Sequence, residues 1–163
     1  MKRFGSTLIG LTIFVLLIAG ALATSSEAAA DCVKDTADAQ LSILGPFGPI
    51  VGTVNFVIGG VPAVASVTIN ILAPPTVGED GTLHSTSSLY YNFGNGNTLT
   101  GESKGVLSPT ETPGVYQNNQ DLSYTGGTGT YQNAYGRFSG HGILSFIDMT
   151  GTMSGKGVLC GLQ

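Results

Sequence analysis

The chain has 163 residues, 42% of them hydrophobic and only 10% charged, with 25 glycines, no tryptophan and a net charge of −4. So few cations on an acidic chain exclude a nucleic-acid partner, which needs a basic surface to neutralise phosphates. Two cysteines and two histidines leave little material for a metal centre.

Lys2 and Arg3 precede an apolar run from Leu8 to Ala23, and the polar stretch Thr24–Glu27 leads into Ala28-Ala29-Ala30. This is the layout of a cleavable secretion signal, with cleavage before Asp31. The apolar run is shorter than the roughly twenty residues that span a bilayer. Cys32 follows Ala-Asp rather than a small apolar box, which argues against lipid attachment. Residues 31–163 then form one domain, predicted to be secreted or periplasmic. Loss of Lys2, Arg3 and Glu27 leaves it four basic and nine acidic residues, a net charge near −5. With no second apolar run of span length and no basic amphipathic segment, stable membrane attachment after cleavage is not expected. In an oxidising compartment the only cysteines, Cys32 and Cys160, are expected to pair and join the two ends of the domain.

The stretch from Val33 to Pro49 reads as irregular. Beyond it, short runs rich in Val, Ile, Thr, Tyr and Phe are punctuated by Gly, Pro, Asn and Asp. The predicted strands are 50–58, 64–72, 83–93, 98–107, 115–124, 135–147 and 150–159. Ala65, Val67, Ile69 and Ile71 alternate with Ser66, Thr68 and Asn70, so one face is buried and the other wet. In 98–107 the same parity places Leu99, Gly101, Ser103, Gly105 and Leu107 on one side, with Glu102 and Lys104 facing solvent. A short helical turn around 129–134 is the single helical piece expected. Antiparallel strands with tight connections and repeated strand glycines favour a closed barrel over a sandwich.

The segment from Tyr124 to Gly136, Y-T-G-G-T-G-T-Y-Q-N-A-Y-G, resembles the G-G-T-G-x-[FY]-x-x-A-x-G signature of the allene oxide cyclase and dirigent barrel superfamily. Its residues are Gly126, Gly127, Thr128, Gly129, Tyr131, Ala134 and Gly136. The resemblance implies a structural role: a glycine turn and a helical turn linking two barrel strands, with Tyr131 and Ala134 against the wall. It further implies an eight-stranded antiparallel barrel with a central apolar cavity, assembly as a trimer, and chemistry on small hydrophobic molecules. Gly126, Gly127 and Gly129 are expected to adopt backbone angles closed to other residues, and Thr128 to bond within the turn.

No pattern for a hydrolase triad, a nucleotide loop, a cofactor or a metal set is present. Tyr135, Arg137, Ser139 and His141 alternate and share one face of their strand. If that face points inward, Tyr135, Arg137 and His141 form a polar stripe in the cavity. If it points outward, Phe138, Leu144 and Phe146 fill the core instead. Tyr90 and Tyr91 must face opposite sides, so one is internal; Tyr91 joins the candidate ligand contacts. The expected function is binding, or isomerising or cyclising, a small hydrophobic molecule in the barrel. The alternative is a barrel filled by its own side chains, serving a structural or interaction role outside the cell.

Overall fold

A computed structural model describes residues 31–45 and 48–163; the predicted signal, 1–30, lies outside them. Nine strands follow in chain order: β1 (Val33–Ile43), β2 (Ile50–Ile58), β3 (Val61–Ile71), β4 (Thr76–Val77), β5 (Leu83–Gly94), β6 (Asn97–Pro109), β7 (Val115–Thr128), β8 (Tyr135–Ser145) and β9 (Thr150–Cys160). A single 3-10 turn, Gly129–Tyr131, separates β7 from β8.

Every pairing is antiparallel. β2 pairs with β3 and with β1, β1 with β9, and the order then runs β8, β7, β6, β5. Pairing of β3 with β5, from Ser66 opposite Asn92 to Ile71 opposite Ser87, closes the ring into an eight-stranded barrel. The two-residue β4 lies outside that ring and pairs with Leu83 and His84 of β5, beyond the point where β3 ends.

The seven predicted strands coincide with β2, β3 and β5–β9. The irregular reading of Val33–Pro49 is corrected. Val33–Ile43 is an eleven-residue strand, central in the sheet and paired on both sides. Its inward side is Val33, Asp35, Ala37, Ala39, Leu41 and Ile43. A carboxylate and two alanines in that row disguise the alternation, and neither residue type favours strands.

The strands tilt and stagger as closure of a barrel requires, so the two ends are told apart by which side chains meet inside them. One end gathers Val33, Asp35, Phe56, Ile58, Tyr91, Phe93, Leu99, Tyr124 and Leu159. It also holds the turn residues Tyr131 and Ala134 and the disulfide. Here the interior is filled. Tyr91 meets Phe56 edge-on at 5.3 Å between ring centroids, Phe56 meets Phe93 at 5.5 Å, and Phe93 stacks on Tyr131 at 4.7 Å. Such aromatic contacts add about 0.5–1.5 kcal/mol each beyond area burial. Leu99 and Leu159 have no exposed surface.

Cys32 and Cys160 form a disulfide with Cα atoms 4.1 Å apart and a sequence separation of 128. They stand beside the Val33–Leu159 cross-strand pair, so the bond clamps the first and last barrel strands together. No helix among the described residues is long and apolar enough to cross a membrane.

Candidate functional site: a cup at the open end of the barrel

The opposite end of the barrel is hollow. Leu41 of β1, Ile50 of β2, Ile69 and Ile71 of β3, Leu83 of β5, Leu107 of β6 and Leu144 of β8 line a cavity of about 340 Å³. Pro75, Gly114 and Phe146, from the connections around the rim, complete the wall, with Tyr116 packed edge-on against Phe146 at 5.6 Å. Inward-pointing aliphatic side chains on six strands make an apolar wall, and the volume lies within the range of small-molecule sites.

The floor is polar. Ser87 Oγ and Ser103 Oγ are hydrogen-bonded at 3.0 Å, and Gln120 Nε2 donates to Ser103 Oγ at 2.5 Å. Asn118 Nδ2 donates to the Met153 sulfur at 3.3 Å. Ser87, Ser103 and Asn118 are buried. Parity had already put Ser103 and Gly105 on the apolar side of β6; Asn118 and Gln120 escaped notice because β7 reads as polar on both faces.

Below the floor, a void of about 40 Å³ is bounded by Leu89, Tyr91, Leu122 and Tyr124, and shares Leu41, Ile69, Gln120 and Met153 with the cup. Beneath it is Asp35, buried to 1% exposure. The Tyr124 hydroxyl donates to Asp35 Oδ2 at 2.6 Å, while Asp35 Oδ1 has no hydrogen-bond partner among the described residues. Burial raises the Asp35 carboxyl above the ordinary carboxylate range, and the bond from Tyr124 offsets part of that. Burial and the nearby Asp35 charge push the Tyr91 and Tyr124 hydroxyls upward as well. Asp35 was not anticipated, since its strand was not.

Of the predicted ligand contacts, only Tyr91 is internal, at 6% exposure against 43% for Tyr90. It lies in the closed half, edge-on to Phe56. Tyr135, Arg137 and His141 all point outward and are exposed, so the structure does not bring them to Tyr91 or to the cup. The physical reason is the opposite parity of β8. Gly140 and Leu144 are buried there, and the Phe138 ring occupies the space that a Cβ at Gly155 would need. His141 instead shares a depression on the outer wall with His84, Lys104 and Lys156, reached through the register His84–Val106–Asn119–His141. Among the described residues, no group of three or more His, Cys, Asp or Glu is placed to hold a metal ion.

The glycine-rich segment builds the closed end. Gly126 and Gly129 have φ of +119° and +59°, the region that glycine enters without penalty. Gly127 departs from the expectation: its φ is not positive, and its need is for space, because a Cβ would land on the Thr98 carbonyl oxygen. Thr128 bonds to the neighbouring hairpin rather than within its turn, donating to the Gly96 carbonyl at 2.6 Å and meeting Thr98 Oγ1 of the adjacent strand β6 at 2.8 Å. Tyr131 and Ala134 are buried, as a wall-packing role requires. Gly136 sits opposite the fully buried Leu159.

Comparisons with family models, with curated proteins and with solved structures returned no match to this chain.

Proposed function

We propose that the domain is an exported binding protein that holds one small hydrophobic molecule in the cup at the open end of its barrel. The observation that carries this reading is the contrast between the two ends. Side chains fill the disulfide end, whereas the other end leaves about 340 Å³ behind an aliphatic wall. Protein interiors are close-packed, and a hollow of that size loses the dispersion contacts that would otherwise line it. An apolar guest restores those contacts. Export is supported by the predicted signal and by the Cys32–Cys160 bond, which persists in oxidising compartments.

Binding is favoured over turnover because Asp35, the one buried acid among the described residues, lies on β1 six residues from Leu41, about 20 Å along the strand. Asp35 is in the packed half with Tyr124 as its partner. Native mass spectrometry of residues 31–163, recovered from an oxidising compartment, tests the proposal. A bound lipophile of defined mass is expected, and it is lost in Leu83→Trp, whose indole occupies the cup. Bare protein under gentle conditions would favour the side-chain-filled, structural reading instead.

A further inference from the structure

The cup carries information about its guest beyond apolarity. None of its lining residues is a lysine, arginine, histidine, aspartate or glutamate. The four cations of the domain, Lys34, Lys104, Arg137 and Lys156, all have exposed side chains on the outer wall. A carboxylate, phosphate or ammonium head in the cup would therefore be buried with no opposite charge. The floor nevertheless offers hydrogen bonds. Asn118 spends one amide hydrogen on Met153. Its carbonyl oxygen and that of Gln120 accept no hydrogen bond from other described residues, and Ser85 Oγ is likewise unpaired.

These groups converge on one spot. Gly105 lies opposite Ser85 on β5 and Gln120 on β7, on the inward side of β6. A Cβ there would stand 3.0 Å from Ser85 Oγ and 3.5 Å from Asn118 Oδ1. The glycine is not demanded by its backbone, whose φ lies outside the left-handed region. A Cβ at Gly105 would crowd the Ser85 hydroxyl, and Ser85 Oγ and Asn118 Oδ1, each within 3.5 Å of one point, lie close enough for a single guest hydroxyl to reach both.

Resting on the cup reading above, the geometry points to an uncharged amphiphile with a single hydroxyl head, a primary alkyl alcohol, bound head-down with its hydroxyl between Ser85 and Asn118, both of which line the cup. A hydroxyl suits this position because it both donates, to Asn118 Oδ1, and accepts, from Ser85 Oγ–H or the second Asn118 amide hydrogen. An ether head only accepts and leaves Asn118 Oδ1 unpaired. The alkyl chain then runs outward along Ile69, Leu83, Leu107 and Leu144.

The test uses residues 31–163 with the disulfide intact and N-phenyl-1-naphthylamine as a fluorescent apolar probe, free of interference because the chain has no tryptophan. Probe uptake reports the cup itself. Competition by decan-1-ol, sodium decanoate at pH 8 and decyl methyl ether reports the head. The expected result is saturable uptake, with decan-1-ol displacing the probe at least tenfold better than the other two. In Gly105→Ala the probe still binds and that advantage shrinks to within threefold; Asn118→Leu provides the same readout should Gly105→Ala fold poorly. Uptake with decanoate competing as well as decanol, or an alcohol advantage that survives both variants, overturns the head assignment and leaves the cup standing. Absence of probe uptake overturns both.

Discussion

Tyr124 and Asp35, 89 residues apart in sequence, meet in the packed half of the barrel through a 2.6 Å hydrogen bond from the tyrosine hydroxyl to Asp35 Oδ2. The other carboxyl oxygen is buried without a hydrogen-bond partner among the described residues. This pair makes stability depend on pH. Because burial raises the folded-state pKa of Asp35, the folded protein holds its proton more tightly than the unfolded chain. The resulting stabilisation is complete below the unfolded value of about 4 and is lost as pH rises through the raised folded value. Asp35→Asn is expected to remove that decline, giving a flatter profile of unfolding free energy between pH 4 and 7. Tyr124→Phe removes the one side-chain hydrogen bond that the Asp35 carboxyl makes among the described residues. It should cost about 1–3 kcal/mol, with a larger loss at pH 7 than at pH 4, since the lost bond favoured the ionised form. Urea titrations at the two pH values check both; equal losses would contradict the pairing.

Gly127 sets a steric test of the closed end. A Cβ there meets the Thr98 backbone carbonyl, which cannot rotate away as a side chain would. Gly127→Ala is therefore expected to cost more than about 4 kcal/mol, in the range reserved for disrupted cores, and to abolish soluble yield or lower the melting temperature steeply. Gly60→Ala, at φ +86° with open space around it, carries backbone strain alone and should cost about 1–3 kcal/mol. Comparable melting temperatures for the two variants would refute the steric account.

The Cys32–Cys160 bond spans nearly the whole domain. In the chain-entropy treatment, a loop of this length contributes roughly 4–5 kcal/mol by constraining the unfolded chain. The bond joins strands whose ladder is already complete, so Cys32→Ser with Cys160→Ser should lower the melting temperature while leaving the barrel's circular dichroism unchanged. Calorimetry of the reduced wild type should match the double variant. A melting temperature unaffected by reduction would contradict the contribution assigned to the bond.

Seven of the eight ring strands were legible because valine, isoleucine, threonine and aromatic residues alternate and turn residues break the runs. Strand β1 was hidden by Asp35, Ala37 and Ala39, whose inward positions are revealed only by the partners that cover them. On β8 the inward row includes Gly136, Gly140 and Gly142, which offer no side chain to mark a face, so either parity remained open until the register was known. The cup was less visible still. Its polar floor draws one or two residues each from β5, β6 and β7, and its volume is a property of what those strands leave unfilled rather than of any motif. The pairing of Cys32 with Cys160 needed only counting.

The central claim, a guest in the open half of the barrel and nowhere else, is tested most directly by methyl NMR of selectively labelled residues 31–163 titrated with decan-1-ol. The account predicts saturable shifts for the methyls of Leu41, Ile69, Leu83, Leu107 and Leu144, with those of Val33, Ile58, Leu99 and Leu159 at the closed end unmoved. Shifts confined to exposed outer methyls such as Val57 and Val64, or none that saturate, would contradict it.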